Sequence, residues 1–337
     1  MLKLDTIKKI DKNQMYQAYD SWPNISDVAF KKKCEKIHYK GIKHIVFAGM
    51  GGSGHISDVF YSIFSKTKIY VDVVKGYHLP HTVDNNTLVI PISISGNTVE
   101  TLSILRDAKK KKCKIVAFSS GGKIKEFCRK NKIEHRSVPF IHTPRASFAG
   151  TLYTMLNVLE PILPINKKEI IRSIETLKKI NKKIATSNLS NSNPSLNLAY
   201  WIKKSPLIYY PWGLESPSIR FKNSLQENAK LHVITEDIIE SCHNGIVAWE
   251  KNSTIQPILI QGEKDYIKTK ERWRVIKKYF KKNKIDYWEI NSVKGDILSK
   301  MVSLIYQLDY TSIYKAILTK TDPTPIHSIN FIKQNIE

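Results

Sequence analysis

The sequence predicts an α/β protein of two doubly wound domains, each a mainly parallel sheet flanked by helices, and three observations carry that prediction. Between residues 41 and 139, short apolar β-branched runs alternate with helix-period segments, the pattern of parallel strands covered on both faces. Two of these runs lead straight into small-residue loops, Met50-Gly51-Gly52-Ser53-Gly54 and Ser93-Ile94-Ser95-Gly96-Asn97-Thr98-Val99-Glu100-Thr101. With 337 residues the chain is longer than one core serves, so a second domain is expected, with 1–155 and 156–337 as the two parts.

In chain order, residues 44–48 read as a buried strand, 56–64 as an amphipathic helix, and 69–74 and 88–94 as further strands. Residues 99–109 then repeat apolar positions at a spacing near 3.6, before a strand at 114–118 and a short helix around Phe127. Helical periodicity resumes over 167–185. The polar Ser/Asn/Pro stretch at 187–194 is the most linker-like in the chain. Strand candidates at 207–210, 255–260 and 285–290, with helices at 217–231, 269–281 and 295–318, outline the second α/β domain.

Hydrophobic content of 42% and aromatic content of 10% are ordinary for a globular protein, and no apolar stretch reaches the length of a membrane span. The opening Met-Leu-Lys-Leu-Asp-Thr-Ile-Lys-Lys lacks the apolar block of a signal peptide, so a cytoplasmic protein is expected. Cys34, Cys113, Cys128 and Cys242 are scattered without a C-x-x-C spacing, which points away from a disulfide framework and from a zinc site. The net charge of +24 raises a nucleic-acid partner, but no recognition helix, RNA-binding aromatic motif or finger spacing accompanies the lysines. They read as a solvated surface whose field draws anionic metabolites, with no nucleic acid and no membrane as partners.

The two loops are strand-to-helix turns suited to an anion. Small residues let the backbone approach a ligand, hydroxyls add donors, and the following helix offers unpaired N–H groups at its positive dipole end. In the first loop Gly51, Gly52 and Ser53 are the candidate phosphate contacts, although a tight turn alone would also want glycines there. Neither the dinucleotide spacing G-x-G-x-x-G nor a Gly-Lys-Ser/Thr P-loop is present. The second loop is sharper: Ser93, Ser95 and Thr98 place three hydroxyls in six residues at a helix opening, with Glu100 in the first turn.

These loops resemble those of the sugar isomerase (SIS) domain family, whose members bind phosphosugars through the second loop. Further residues narrow the resemblance: Thr143-Pro144-Arg145-Ala146-Ser147-Phe148, Glu227-Asn228-Ala229-Lys230, Cys242-His243-Asn244-Gly245-Ile246 with Trp249, Asp322-Pro323-Thr324-Pro325, and Lys333. In that order they are similar to the bifunctional phosphoglucose/phosphomannose isomerases, which consist of two such domains. The resemblance runs from about Gly41 to Lys333. It implies aldose–ketose isomerisation of glucose 6-phosphate and mannose 6-phosphate to fructose 6-phosphate, with no metal and no organic cofactor. The alternatives are a single-specificity glucose 6-phosphate isomerase or a non-catalytic sugar-phosphate-binding protein.

Such a reaction needs a base to move a proton between C1 and C2, a fixed cation for the enediolate, and an acid/base to open the ring. By resemblance, Glu227 is the base, Arg145 stabilises the enediolate, His243 opens the ring from the adjacent subunit of a homodimer, and Lys333 assists. On spacing alone Glu227 reads as an ordinary helix carboxylate and Lys333 as a snorkelling surface lysine. Cys242 stands before the histidine where proline is common in the family.

Overall fold

The computed structural model describes residues 2–336. Its contacts divide the chain into two compact units: Ser21–Lys178 with Gly295–Ser299, and the residues up to Asp20 with Lys179–Lys294 and those from Lys300 onward. The units are therefore not the contiguous parts suggested by the sequence. Three helices precede the first strand: α1 (Leu4–Ile10), α2 (Met15–Asp20) and α3 (Trp22–Lys31). The first two pack in the second unit, because the end of α2 carries Tyr19 and Asp20, whose backbone and carboxylate take hydrogen bonds from Tyr306 (2.7 Å) and Tyr310.

The first unit holds the strands β1 (His44–Ala48), β2 (Tyr70–Val74), β3 (Leu88–Ser93), β4 (Lys114–Ser119) and β5 (Glu134–Ser137), all parallel, in the order β2-β1-β3-β4-β5. Helices α4 (Gly51–Phe64), α5 (Val99–Lys110), α6 (Gly122–Asn131) and α7 (Phe148–Val158) follow β1, β3, β4 and β5, and α8 (Lys167–Ile184) runs on from there. Every residue of β3 is buried, since β1 and β4 flank it and helices cover both faces. One core cluster joins Val46, Val89 and Ala117 of the sheet to Leu102 and Leu105 of α5 and Ile124 of α6. Full burial of such side chains contributes about 1.5–3 kcal/mol each.

The edge strand β5, Glu-His-Arg-Ser, was not expected from sequence, because an edge strand needs no apolar run. His135 on it shares a 2.8 Å hydrogen bond with Ser119 Oγ, and burial, with Lys125 and Arg136 nearby, holds its imidazole below the usual value.

In the second unit a four-stranded parallel sheet has the order β7-β6-β8-β9, formed by β6 (Ser205–Tyr210), β7 (Ile234–Asp237), β8 (Ile255–Gln261) and β9 (Trp288–Asn291). Around it stand α9 (Pro194–Trp201), α10 (Glu215–Ala229), α11 (Ile238–Ser241), α12 (Ile267–Lys282), α13 (Ile297–Leu318) and α14 (His327–Asn335). The polar stretch at 187–194, expected to be a linker, is instead an ordered loop inside this unit. Asn193 is buried, donates to the carbonyls of Ile184 (3.1 Å) and Asn188 (2.7 Å), and caps α9 by accepting the Leu196 N–H.

All four cysteines are free thiols, and burial pushes Cys113 and Cys128 up to about 11. Among the described residues no helix is long and apolar enough to cross a membrane.

Candidate active site

The first sheet reverses its winding between β1 and β3, and at such a switch point the carboxyl ends of the strands open a crevice for ligands. Both small-residue loops lie there. Helix α4 starts at Gly51, which adopts φ +52°, and Met50 at its N-cap makes no side-chain cap. A Cβ on Gly52 would stand 3.4 Å from the Cα of Arg145 and from the carbonyl of Pro144, which is ordinary van der Waals contact. The first loop therefore packs against the backbone that carries Arg145.

The hydroxyls divide into braces and open donors. Ser53 is buried and accepts the Ile94 N–H (3.2 Å), tying the first loop to the end of β3. Ser93, also buried, accepts the Gly96 N–H (3.1 Å) and lies 2.8 Å from Thr98 Oγ1. Ser95 and Thr98 stay half-buried at the mouth of the turn, and Thr98 leaves the first-turn N–H groups of α5 without a side-chain cap. If Ser93 donates to Thr98, the Thr98 proton points onward to an incoming oxygen, so two hydroxyls and a helix terminus converge on one place.

A third loop, which sequence reasoning missed, props up the second. Gly96, at φ +74°, sits so close to Gly121 that a Cβ would come within 1.9 Å of its carbonyl oxygen. Asn97 Oδ1 accepts the Lys123 N–H (3.1 Å), and Ser120 Oγ donates to the Ile94 carbonyl (2.7 Å). The Gly121-Gly122 pair was the available signal. Lys75, just past β2, is a further neighbour: its Cε stands 3.3 Å from where a Cβ on Gly54 would be, and its ammonium holds Asp58 at 2.7 Å. Burial pushes the Asp58 carboxyl up, and Lys75 opposes that.

Arg145 is buried in the turn before α7. Ser147 shapes that turn by accepting the Ile141 N–H (2.7 Å) and donating to the Thr143 carbonyl (2.8 Å), while Trp22 Nε1 donates to the Ala146 carbonyl (3.2 Å). Thus Gly51, Gly52, Ser53, Ser93, Ser95, Thr98 and Arg145 are brought together in the first unit.

Glu227, His243 and Lys333 lie in the second unit. Glu227 is half-buried near the end of α10, beside a cavity of about 660 Å³ that His232, Pro325 and His327 also line. Lys230 closes the helix with φ +56° and donates to the carbonyls of Glu227 and Pro325, the latter at 2.7 Å. What fixes α10 is a hidden network. Arg220 and Asp309 of α13 are both buried, with Nε and one terminal nitrogen 3.0 and 2.6 Å from the same carboxylate oxygen. Ser224 Oγ donates to the other oxygen (2.7 Å), and Asn228 Nδ2 to Ser312 Oγ (2.8 Å). Glu227 sits between these two anchors.

His243 is exposed in the turn after α11. Asp237 caps the start of α11 by accepting the N–H groups of Ile239 (2.8 Å) and Glu240 (3.1 Å), the turn after it is closed by the His243 N–H donating to the Glu240 carbonyl (2.9 Å), and at Gly245 a Cβ would meet Glu236 Oε1 at 2.3 Å. Burial, then Glu240 and Asp237, raise the Glu236 carboxyl. Trp249 is buried and donates to Tyr209 OH (2.8 Å), so the His-Asn-Gly-Ile segment is pinned from behind. Lys333 is exposed on α14 and is not among the residues lining the cavity beside Glu227.

Comparison with known proteins matches the SIS domain family to residues 38–145 and the bacterial phospho-glucose isomerase C-terminal SIS domain family to residues 191–336. The chain is 32% identical over 339 residues to a bifunctional phosphoglucose/phosphomannose isomerase of Caldicellulosiruptor bescii, covering 96% of each chain. It is 30% identical over 310 residues to one of Aquifex aeolicus, covering 89% of this chain and 91% of that one. Among solved structures it is similar in fold to the C-terminal domain of glucosamine-fructose-6-phosphate aminotransferase from Francisella tularensis, with a TM-score of 0.67, 17% identity, and coverage of 91% and 96%.

Proposed function

Because this chain is an isomerase belonging to the family of bifunctional phosphoglucose/phosphomannose isomerases, we propose that it interconverts glucose 6-phosphate and mannose 6-phosphate with fructose 6-phosphate through a cis-enediolate. The observation that carries this reading is the phosphate cradle at the switch point of the first sheet: Ser95, Thr98 and the uncapped start of α5, beside Gly51 and Gly52. A dianionic phosphate placed there meets a helix dipole and charge-assisted donors.

Glu227 takes the C2 proton of the open-chain aldose and returns it to C1, while Arg145 offsets the charge that grows on the enediolate oxygens. His243 exchanges protons with the ring oxygen and the C1 hydroxyl, and Lys333 assists ring opening. His243 serves the site of a second copy in a homodimer, consistent with its exposed position in the turn after α11. No step draws on a metal or an organic cofactor.

A coupled assay of purified protein tests the reading by comparing fructose 6-phosphate formation from the two aldose phosphates. Turnover of both supports it, turnover of glucose 6-phosphate alone restricts it to one specificity, and turnover of neither refutes it. Glu227→Gln is expected to lower kcat by about two to four orders of magnitude with little change in binding. Mixing Glu227→Gln with His243→Ala protein restores activity only if the two residues meet across a dimer interface.

A further inference from the structure

The second unit carries a basic groove that this reaction leaves unused. Helix α12 buries Trp273, Ile276 and Phe280 and turns Lys270, Arg274, Lys277, Lys278 and Lys281 onto the adjoining face, within an arc of about 100°. Opposite them stand Glu289 and Asn291 of the edge strand β9 and Tyr287 just before it. The groove between has a volume of about 610 Å³.

The carboxylates nearby already have partners. Glu289 accepts Lys277 (2.9 Å) and Gln261 Nε2 (2.8 Å), Asp265 accepts Trp273 Nε1 (2.9 Å) and the Gly262 N–H (3.0 Å), and Glu263 lies 3.5 Å from Lys294. Among the described residues Lys270, Arg274, Lys278 and Lys281 have no ion pair. Five cations face three carboxylates in the groove, of which Asp265 is held only by neutral donors, so the helix face keeps a net positive charge that an anion laid along it offsets.

Their spacing selects the anion. From Lys270 to Lys281 the helix advances about 16 Å, so the cations form a line and do not converge on a point as the donors of a single phosphate would. A linear polyanion matches a line. Tyr266, which is 72% exposed, is the N-cap residue of α12 and directly follows Asp265, which lines one end of the groove. A basic track with an exposed ring beside it is the combination that holds single strands by backbone charge and base stacking.

We propose that the α12–β9 groove binds the phosphate backbone of a single-stranded nucleic acid, with Tyr266 stacking on a base. From sequence the lysines carry no such role, because no recognition motif accompanies them. Backbone binding needs none, and only the fold shows that these cations share one wall of a groove.

Fluorescence anisotropy with a labelled 12-nucleotide oligouridylate tests this on the full chain. Binding is expected at 50 mM salt, with log Kobs falling against log salt at a slope of about −3 for four neutralised phosphates. The variant Lys270→Glu/Arg274→Glu/Lys278→Glu/Lys281→Glu is expected to bind at least 100-fold more weakly with an unchanged circular dichroism spectrum. A control with the same charge change on the first unit, Lys110→Glu/Lys112→Glu/Lys125→Glu/Lys130→Glu, is expected to keep most of its affinity. Tyr266→Ala should weaken binding about five-fold or more. Equal losses in the two charge variants assign binding to overall charge and overturn the proposal, as does absence of binding by the wild type. Inorganic polyphosphate binding as tightly as the oligonucleotide, with Tyr266→Ala silent, overturns the nucleic-acid assignment.

Discussion

Replacing Asp309 with alanine tests how α10 is held, and therefore how Glu227 is aimed. The Arg220 guanidinium is 1% exposed and would lose the carboxylate that sits 2.6 and 3.0 Å from two of its nitrogens, while Ser224 Oγ would lose its acceptor. Removing one partner of a buried ion pair costs about 3–5 kcal/mol, because the remaining charge keeps its desolvation penalty without the attraction that offset it. Urea denaturation followed by tryptophan fluorescence reads the relevant unit, since Trp201, Trp212, Trp249, Trp273 and Trp288 lie in it and only Trp22 lies in the other. The double variant Arg220→Met/Asp309→Leu removes both charges and is expected to recover most of the loss. A loss under about 1 kcal/mol for Asp309→Ala, or a double variant no more stable than the single one, would refute the reasoning.

Ser95→Ala and Thr98→Ala should each raise the KM for sugar phosphate, and the inhibition constant of inorganic phosphate, by about ten- to a hundred-fold, since each loses a hydrogen bond to a charged group. Unchanged constants in both variants would move the phosphate elsewhere. Gly96→Ala must combine φ +74° with a Cβ 1.9 Å from the Gly121 carbonyl, so the second loop has to shift; phosphate inhibition should weaken even though no hydroxyl is removed, and a wild-type inhibition constant would contradict this. His135 has a folded-state pKa below its ordinary 6.5. The folded protein therefore binds that proton less readily than the unfolded chain, and stability falls as pH drops through 6.5. Wild type should lose more Tm between pH 7.5 and pH 5.5 than His135→Gln, and equal acid sensitivity would count against the assignment.

Every strand with neighbours on both sides could be read from the sequence, and so could two edges, β2 and β9, whose segments carry β-branched or aromatic residues. β1, β3 and β4 of the first sheet and β6 and β8 of the second are continuous apolar runs because both faces of each are covered. The two strands that escaped notice, Glu134-His135-Arg136-Ser137 and Ile234-Thr235-Glu236-Asp237, are edges, where one side needs no partner and polar side chains are tolerated. The stretch at 187–194 was misjudged for a related reason. Ser and Asn are equally at home in a linker and in a loop that caps a helix, and what separates the two here is whether Asn193 finds the carbonyls of Ile184 and Asn188.

The phosphate cradle was legible because its physics is local: a strand end, small residues and a helix start are consecutive in the chain. The surroundings of Glu227 are not local. Asp309 reaches Arg220 from 89 positions away and Ser312 reaches Asn228 from 84, so on α10 itself Arg220, Ser224 and Asn228 look like a wetted face. One signal does exist. α13 runs Ile-Leu-Ser-Lys-Met-Val-Ser-Leu-Ile-Tyr-Gln-Leu-Asp-Tyr-Thr-Ser-Ile-Tyr-Lys-Ala-Ile-Leu, with Asp309 its single carboxylate amid apolar and aromatic residues. A carboxylate in such a stretch is buried at a cost that only a cation or several donors can offset, so some other element has to supply them. Among the residues of α10 the cations are Arg220 and Lys222, and only arginine offers the planar fork that lets two N–H groups meet one carboxylate while Ser224, one turn on, meets its other oxygen.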